Sequence, residues 1–273
     1  MMTLESKLPY LNLGCGYHYH NDWTNLDFIS TGNNVIAHNL LSGIPFKNEV
    51  FEVVYHSHVL EHFLKPDAER FISECFRVLK KDGILRIAIP DLEQIARNYI
   101  KYLEESLNQV PGASEKYNWT VLEMLDQTVR TVGGGGMAEY IKDESKYNDA
   151  FLLERNGKET SDLIKNLRNK NQNSSYTKPS YTLKERIKSK LTRMLLGKDM
   201  EALRLGKFRL SGEIHQWMYD RFSLKVLLEQ KGFKEVKVVQ ADESEIPEWN
   251  NFQLDITDGK IRKPDSLFME AVK

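Results

Sequence analysis

Within its first 57 residues the chain carries four short apolar runs closed by turn residues: LPYLNLGCG (8–16), WTNLDF (23–28), NVIAHNLL (34–41) and FEVVYHS (51–57). Too short for helices and rich in β-branched and aromatic side chains, they read as strands. Only six residues separate Gly16 from Trp23, and five separate Phe28 from Asn34. A parallel crossover with its helix needs about 10 to 12 residues or more. The early connections are therefore loops, and one sheet face lacks part of its usual helical cover. Exposed apolar sheet is costly, so inserted helices or a second subunit are expected over it.

After residue 64 the period changes. Ala68, Phe71, Ile72, Cys75 and Leu79 fall at helical spacing between Pro66 and Gly83, an amphipathic helix with both terminal signals. The strand ILRIAIP (84–90) follows, then helical stripes through Leu92–Leu103 and, after Pro111 and Gly112, Trp119–Val129. Residues 155–181 are polar and Asn/Lys-rich, an exposed or disordered excursion. Residues 182–196 form a basic amphipathic stripe that either touches lipid head groups or a phosphorylated acceptor, or lies on the protein itself. The run Gly133–Gly136 is either a flexible linker or a loop closing over the acceptor. Near the end, Ser223 caps a helix reaching Gly232, and FKEVKVV and SLFMEAV are strands. Strands alternating with helices, closed by an antiparallel pair, give an α/β fold with a mostly parallel sheet.

Composition narrows the partners. Thirty-eight Lys and Arg against thirty-nine Asp and Glu leave a formal charge of -1, which argues against a general grip on nucleic acid or anionic membrane. No apolar run approaches the ~20 residues that span a bilayer. Two cysteines and no signal-like segment before the first strand point to the reducing cytoplasm.

The chemistry concentrates at strand ends. A strand running into Gly14-Cys15-Gly16 lets the backbone turn sharply and a ligand approach closely. Asp27, eleven residues past Gly16 at the end of the next strand, stands where a carboxylate accepts ribose hydroxyls. A dinucleotide fingerprint wants a third glycine where Tyr19 stands, a helix, and an acid ~20 positions on. An adenosine cofactor without pyrophosphate is implied, and S-adenosylmethionine fits.

The blocks LNLGCG, NLDF, IPFKNEVFEVVYHSHVLEHF, FISECFRVLKKDGILRIAIPDL and FMEAV resemble the class I S-adenosylmethionine-dependent methyltransferases of the small-molecule type. The similarity spans 8–107 and 213–273. It implies a Rossmann-like sheet of order 3-2-1-4-5-7-6 with the last strand antiparallel, a cofactor domain of residues 1–107 and 213–273, and a helical, partly disordered insertion at 108–212 acting as acceptor cap or oligomer contact. By that resemblance Leu13, Gly14, Cys15 and Gly16 line the methionine and ribose part. Asp27 holds the ribose, Asn39 and Leu40 flank the adenine, and His56, Ser57 and His58 face the methionine end and the acceptor. His18 in place of a further glycine departs from the family loop, and Asn39 replaces a frequent Asp.

HVLEH (58–62) also matches a zinc-protease pattern, H-x-x-E-H. A zinc hydrolase using His58, Glu61 and His62 is thus one rival reading, and a non-catalytic binder on the same scaffold another. The methyltransferase blocks account for the same residues, with Leu60–His62 opening a short helix, so a site without metal is expected. HSHVLEH replaces the Asn/Asp-Pro-Pro-Tyr/Phe motif of nucleic-acid amino-methylating enzymes, which speaks against that substrate. For the acceptor, His58 is a candidate contact. His215 is either a base or a packed histidine, with Tyr219 beside it, and Asp91 binds the acceptor, orients a base or caps the next helix. Similarity of the C-terminal block to proteins associated with surface polysaccharides points to O-methylation of a sugar, a nucleotide-activated sugar or a phosphorylated glycan precursor, with a homodimer as a candidate assembly.

Overall fold

A computed structural model describes residues 4, 6, 8–143, 149–172 and 197–273. Its main sheet contains β1 (Tyr10–Leu13), β2 (Thr24–Asp27), β3 (Val35–Ala37), β4 (Phe51–Ser57), β5 (Leu79–Pro90), β6 (Lys234–Val239) and β9 (Ser266–Val272). A separate hairpin joins β7 (Ile256–Thr257) to β8 (Lys260–Ile261). The sheet order is β3-β2-β1-β4-β5-β9-β6. Strands β1 to β5 are parallel, and β9 runs antiparallel between β5 and β6. Setting the hairpin aside, this is the expected order 3-2-1-4-5-7-6, and no helix intervenes between β1 and β2 or between β2 and β3.

Alternation along the strands divides the sheet into two faces. Leu11, Leu13, Val54, Leu85, Ile87, Leu267 and Met269 point to one side. There they meet Phe71, Ile72 and Cys75 of α1 (Lys65–Val78) and Leu224, Leu227 and Leu228 of α7 (Arg221–Gln230). The opposite face is the one the short crossovers leave bare. Its cover is neither an inserted helix nor a second subunit, as the sequence suggested, but the segment 240–262 between β6 and β9. Ile246, Trp249 and Leu254 pack on Trp23, Val53 and Tyr55, with the rings of Trp23 and Tyr55 6.2 Å apart.

Arg86, wholly buried on that face, pins the cover in place. Its Nε donates to Asp255 (2.8 Å), Nη1 to Glu270 Oε1 and the Glu243 carbonyl (both 2.8 Å), and Nη2 to the carbonyls of Gln240 and Ala241. Trp249 lies against the guanidinium, 4.4 Å from ring centre to Cζ, and Tyr55 donates its hydroxyl to Asp255 at 2.5 Å.

The middle of the chain builds α2 (Leu92–Leu107), α3 (Ala113–Val129), α4 (Gly135–Lys142), α5 (Asp149–Gln172) and α6 (Met200–Arg209). Tyr102, Trp119, Ile141, Phe151, Leu152 and Ile164 form a second core there. Three sequence-based expectations change. Residues 155–172 are helical, interrupted at Gly157, with Arg155 and Asn156 buried through bonds to Glu123 and Ile164 in the second core, whereas 173–181 lie outside the described residues. The glycine run is no linker: Gly135 and Gly136 start α4 against the Asp126 carboxylate, which takes the Gly136 N–H at 2.6 Å, and a Cβ on Gly135 would meet Asp126 at 2.4 Å. Asp220, not Ser223, caps α7, and Ser223 completes the reciprocal pair three residues on. The basic stripe 182–196 lies outside the described residues. Among the described residues no helix is long and apolar enough to cross a membrane.

Candidate functional site

The ends of β1, β2, β3 and β4 converge on one edge of the sheet. Beyond Leu13 the chain turns through Gly14 (φ +64°) and Gly16 (φ +56°), a left-handed backbone that favours glycine. At Gly14 a side chain is also sterically barred, since its Cβ would lie 2.3 Å from Val59 Cγ2. At Gly16 the space is open, with nothing within 4 Å of that position. The Gly16 N–H donates to Asp27 Oδ2 at 2.7 Å, fixing the carboxylate at the end of β2. His18, which replaces a family glycine, bonds the Gln253 carbonyl at 2.7 Å through Nε2 and straps the loop to the 240–262 cover.

Two openings flank Gly14. The larger, about 730 Å³, runs from Gly14 and Asp27 past Asn39 and Leu40 to His58 and His62, and its far wall is Arg209–Gly212 with Gln216. The smaller, about 310 Å³, is lined by Cys15, Gly16, His18, Ser57, His58 and the basic pair Arg262 and Lys263. With a glycine cradle, an anchored carboxylate and no helix N-terminus after β1, the edge suits an adenosine ligand without pyrophosphate.

Of the other residues expected at the cofactor, Asn39 caps the turn Leu40–Ser42 by accepting the Leu41 N–H. Leu13 is buried in the core beneath the loop. Burial pushes the Cys15 thiol up to about 12, so it stays protonated. His56 is fully buried on the helical face, 5.1 Å from the Phe71 ring, and burial lowers it to about 3. Phe28, 71% exposed beside Asp27, lines the larger cleft and was not singled out from the sequence. Its signal was a large apolar side chain directly after the acid at a strand end.

On the acceptor side, His58 lines both openings, whereas Asp91, His215 and Tyr219 line neither. His58 holds a left-handed φ of 54° outside glycine, a strained backbone of the kind that clusters at functional sites. Its backbone N–H donates to Ala88, Nε2 pairs with Ser266 Oγ at 2.8 Å, and Nδ1 lies 3.5 Å from Glu61 Oε1. Burial holds its imidazole well below the usual range, and so neutral. Asp91 caps α2 by accepting from Glu93 and Gln94, and Tyr219 sits in the main core, where burial raises its hydroxyl to about 12.

The turn Leu60–His62 is the short helix expected after β4. The irregular segment 213–217 is stitched to it: Gln216 and Trp217 donate to the Glu61 carbonyl, and His62 Nδ1 meets the Ile214 carbonyl at 3.1 Å. His215, behind His62 with ring centres 4.9 Å apart, donates its backbone N–H to Gln127. Burial drives its imidazole well down and the Glu61 carboxyl up to about 8.

Residues 24–87 match the family model described as a methyltransferase domain. No curated protein sequence matches the chain. Among solved structures, an S-adenosylmethionine-dependent methyltransferase of Archaeoglobus fulgidus is 12% identical, covering 97% of this chain and 85% of that one, with a TM-score of 0.37. One from Thermotoga maritima is 14% identical over 99% and 84%, with a TM-score of 0.39. Phosphoethanolamine N-methyltransferase 2 of Haemonchus contortus, solved with S-adenosylmethionine, is 9% identical over 100% and 49%, with a TM-score of 0.36. These likenesses are too distant to carry an argument about the acceptor. The matched segment runs from β2 into β5, so these residues carry a methyltransferase domain within a sheet of the order expected from the sequence, and S-adenosylmethionine is its cofactor.

Proposed function

We propose that the chain O-methylates a small polar acceptor, of the class of a sugar, a nucleotide-activated sugar or a phosphorylated glycan precursor. The observation that carries this reading is the Asp27 carboxylate, fixed by Gly16 beside a cleft that continues past His58 to a wall of Arg209 and Gln216. Arg262 and Lys263 line the adjoining opening and favour an anionic group on the acceptor. Asp27 holds the ribose, Gly14, Cys15, Gly16 and Ser57 line the methionine side, and Asn39, Leu40 and Phe28 flank the base. Arg209–Gly212, at and just past the end of α6, close the acceptor side.

When bound, S-adenosylmethionine would supply an electrophilic methyl carbon for transfer to the acceptor oxygen, with S-adenosylhomocysteine as the leaving group. The protein contributes orientation above all. A hydroxyl acceptor must also lose a proton, and neutral His58 at the junction of the two openings accepts it. Asp91, His215 and Tyr219 hold the wall behind it. The domain match and sheet order give no support to the hydrolase or to the non-catalytic scaffold.

The test is calorimetric titration with S-adenosylmethionine and S-adenosylhomocysteine, followed by mass-spectrometric screening of free, nucleotide-linked and phosphorylated sugars for a 14 Da gain. Micromolar binding with a methylated, oxygen-linked sugar is the expected result. Methylation of amines alone, with sugars untouched, overturns the acceptor assignment.

A further inference from the structure

Three residues far apart in sequence meet behind the larger cleft. Glu61 and His62, at the turn after β4, come together with His215 of the 213–217 segment, so that one ligand atom from each lies within 4.8 Å of the other two. The trio differs from the sequential H-x-x-E-H set of His58, Glu61 and His62, because the third member arrives by tertiary contact. Glu61 is 1% exposed and His215 4%. Both carboxylate oxygens of Glu61 and Nδ1 of His215 have no hydrogen-bond partner among the described residues. Buried polar atoms are nearly always paired, and unpaired atoms on two residues whose ligand atoms lie this close ask for a shared partner.

We propose that Glu61, His62 and His215 bind one divalent first-row transition cation. Two imidazoles and a carboxylate are the donor set of open zinc and non-haem iron sites, whereas magnesium and calcium prefer oxygen alone. Ligand atoms on a tetrahedral centre stand about 3.4 Å apart, so closure asks for side-chain movements of about 1 Å. The outer shell is already in place. The Ile214 carbonyl, 3.1 Å from His62 Nδ1, holds that ring so that Nε2 is the free nitrogen, the usual arrangement behind a metal-bound histidine. His58 Nδ1, 3.5 Å from Glu61 Oε1, flanks the carboxylate on its other side. Three protein ligands leave a fourth position for water or an acceptor oxygen, and His62 lines the cleft. A part in acidifying an acceptor hydroxyl rests on the O-methylation reading, whereas binding of the cation does not.

The full-length protein, stripped with EDTA and dialysed, is titrated with Co²⁺ and followed by calorimetry and by visible d–d absorption. The expected result is one equivalent per chain with a visible band, weakened roughly 100-fold or more in Glu61→Gln, His62→Ala and His215→Ala. Glu61→Gln keeps the side-chain shape, so it stands if a histidine variant fails to fold by circular dichroism. His20→Ala, in the exposed loop, binds as the wild type does. No saturable binding in the wild type, undiminished binding in Glu61→Gln, or loss in His20→Ala overturns the assignment. S-adenosylhomocysteine affinity in the same preparations reports on the cofactor site alone, so the two readings fail separately.

Discussion

Two buried polar clusters in this molecule are built to opposite specifications. Around Arg86 every guanidinium N–H has an acceptor, two of them carboxylates, and an aromatic ring covers the plane. Around Glu61 the carboxylate has no donor and a neighbouring histidine nitrogen is equally alone among the described residues. Both centres are fully buried, Arg86 under the 240–262 cover and Glu61 in the turn after β4. The first is complete in itself, and its work is to bind the 240–262 cover to the sheet. The second is complete only with something added. The hydrogen-bonding inventory, rather than burial, tells these two clusters apart.

The sharpest way to break the contrast is to remove the centre of the complete cluster. Arg86→Met strands Asp255 and Glu270 without their cation and is expected to destabilise the fold by about 3 to 5 kcal/mol in urea unfolding. A loss below about 1 kcal/mol would mean the node is dispensable. Asp27→Ala removes an acceptor at the ligand edge rather than in the core, so stability should hold while S-adenosylhomocysteine affinity falls by about 1 to 3 kcal/mol in calorimetry. Unchanged affinity would take Asp27 out of the site.

An intermediate case sharpens the comparison. Glu123 has Arg155 at 3.1 Å and Asn156 at 2.7 Å, yet burial outweighs these partners and its carboxyl rises from 4.5 to about 7. The native state therefore keeps a proton that the unfolded chain releases, and the associated stability is present below pH 4.5 and lost as pH rises through 7. Glu123→Gln should remove that slope from unfolding curves taken between pH 5 and 8, whereas parallel slopes would show a pair that stays ionised. The smallest effect is expected at the strap: His18→Ala deletes one bond to Gln253 and should weaken cofactor binding by about 1 kcal/mol without altering the unfolding midpoint. A shifted midpoint would make His18 part of the core scaffold.

Much of the sheet was legible because strand ends carry turn residues and because crossover length is counted directly. The gaps after Gly16 and Phe28 left no room for helices, and none is there. The cover was illegible for the complementary reason. Ile246, Trp249, Phe252 and Leu254 follow neither period, since they hang on Arg86 and on a ring cluster rather than on a repeating element. Helix α5 was missed because its buried Arg155 and Asn156 look like surface residues until Glu123 of another helix is set beside them. At the site, Gly14, Gly16 and Asp27 were readable from spacing within 14 residues. The meeting of His62 with the segment holding His215 crosses about 150 positions and has no local signature.

The strap between His18 and Gln253 joins positions 235 residues apart, and β9 must enter between β5 and β6 before the sheet is continuous. During synthesis the glycine loop therefore emerges well over 200 residues before its anchor and the cover beneath it. A chain stopped before those segments would hold the residues of the cofactor edge without the partner that straps their loop.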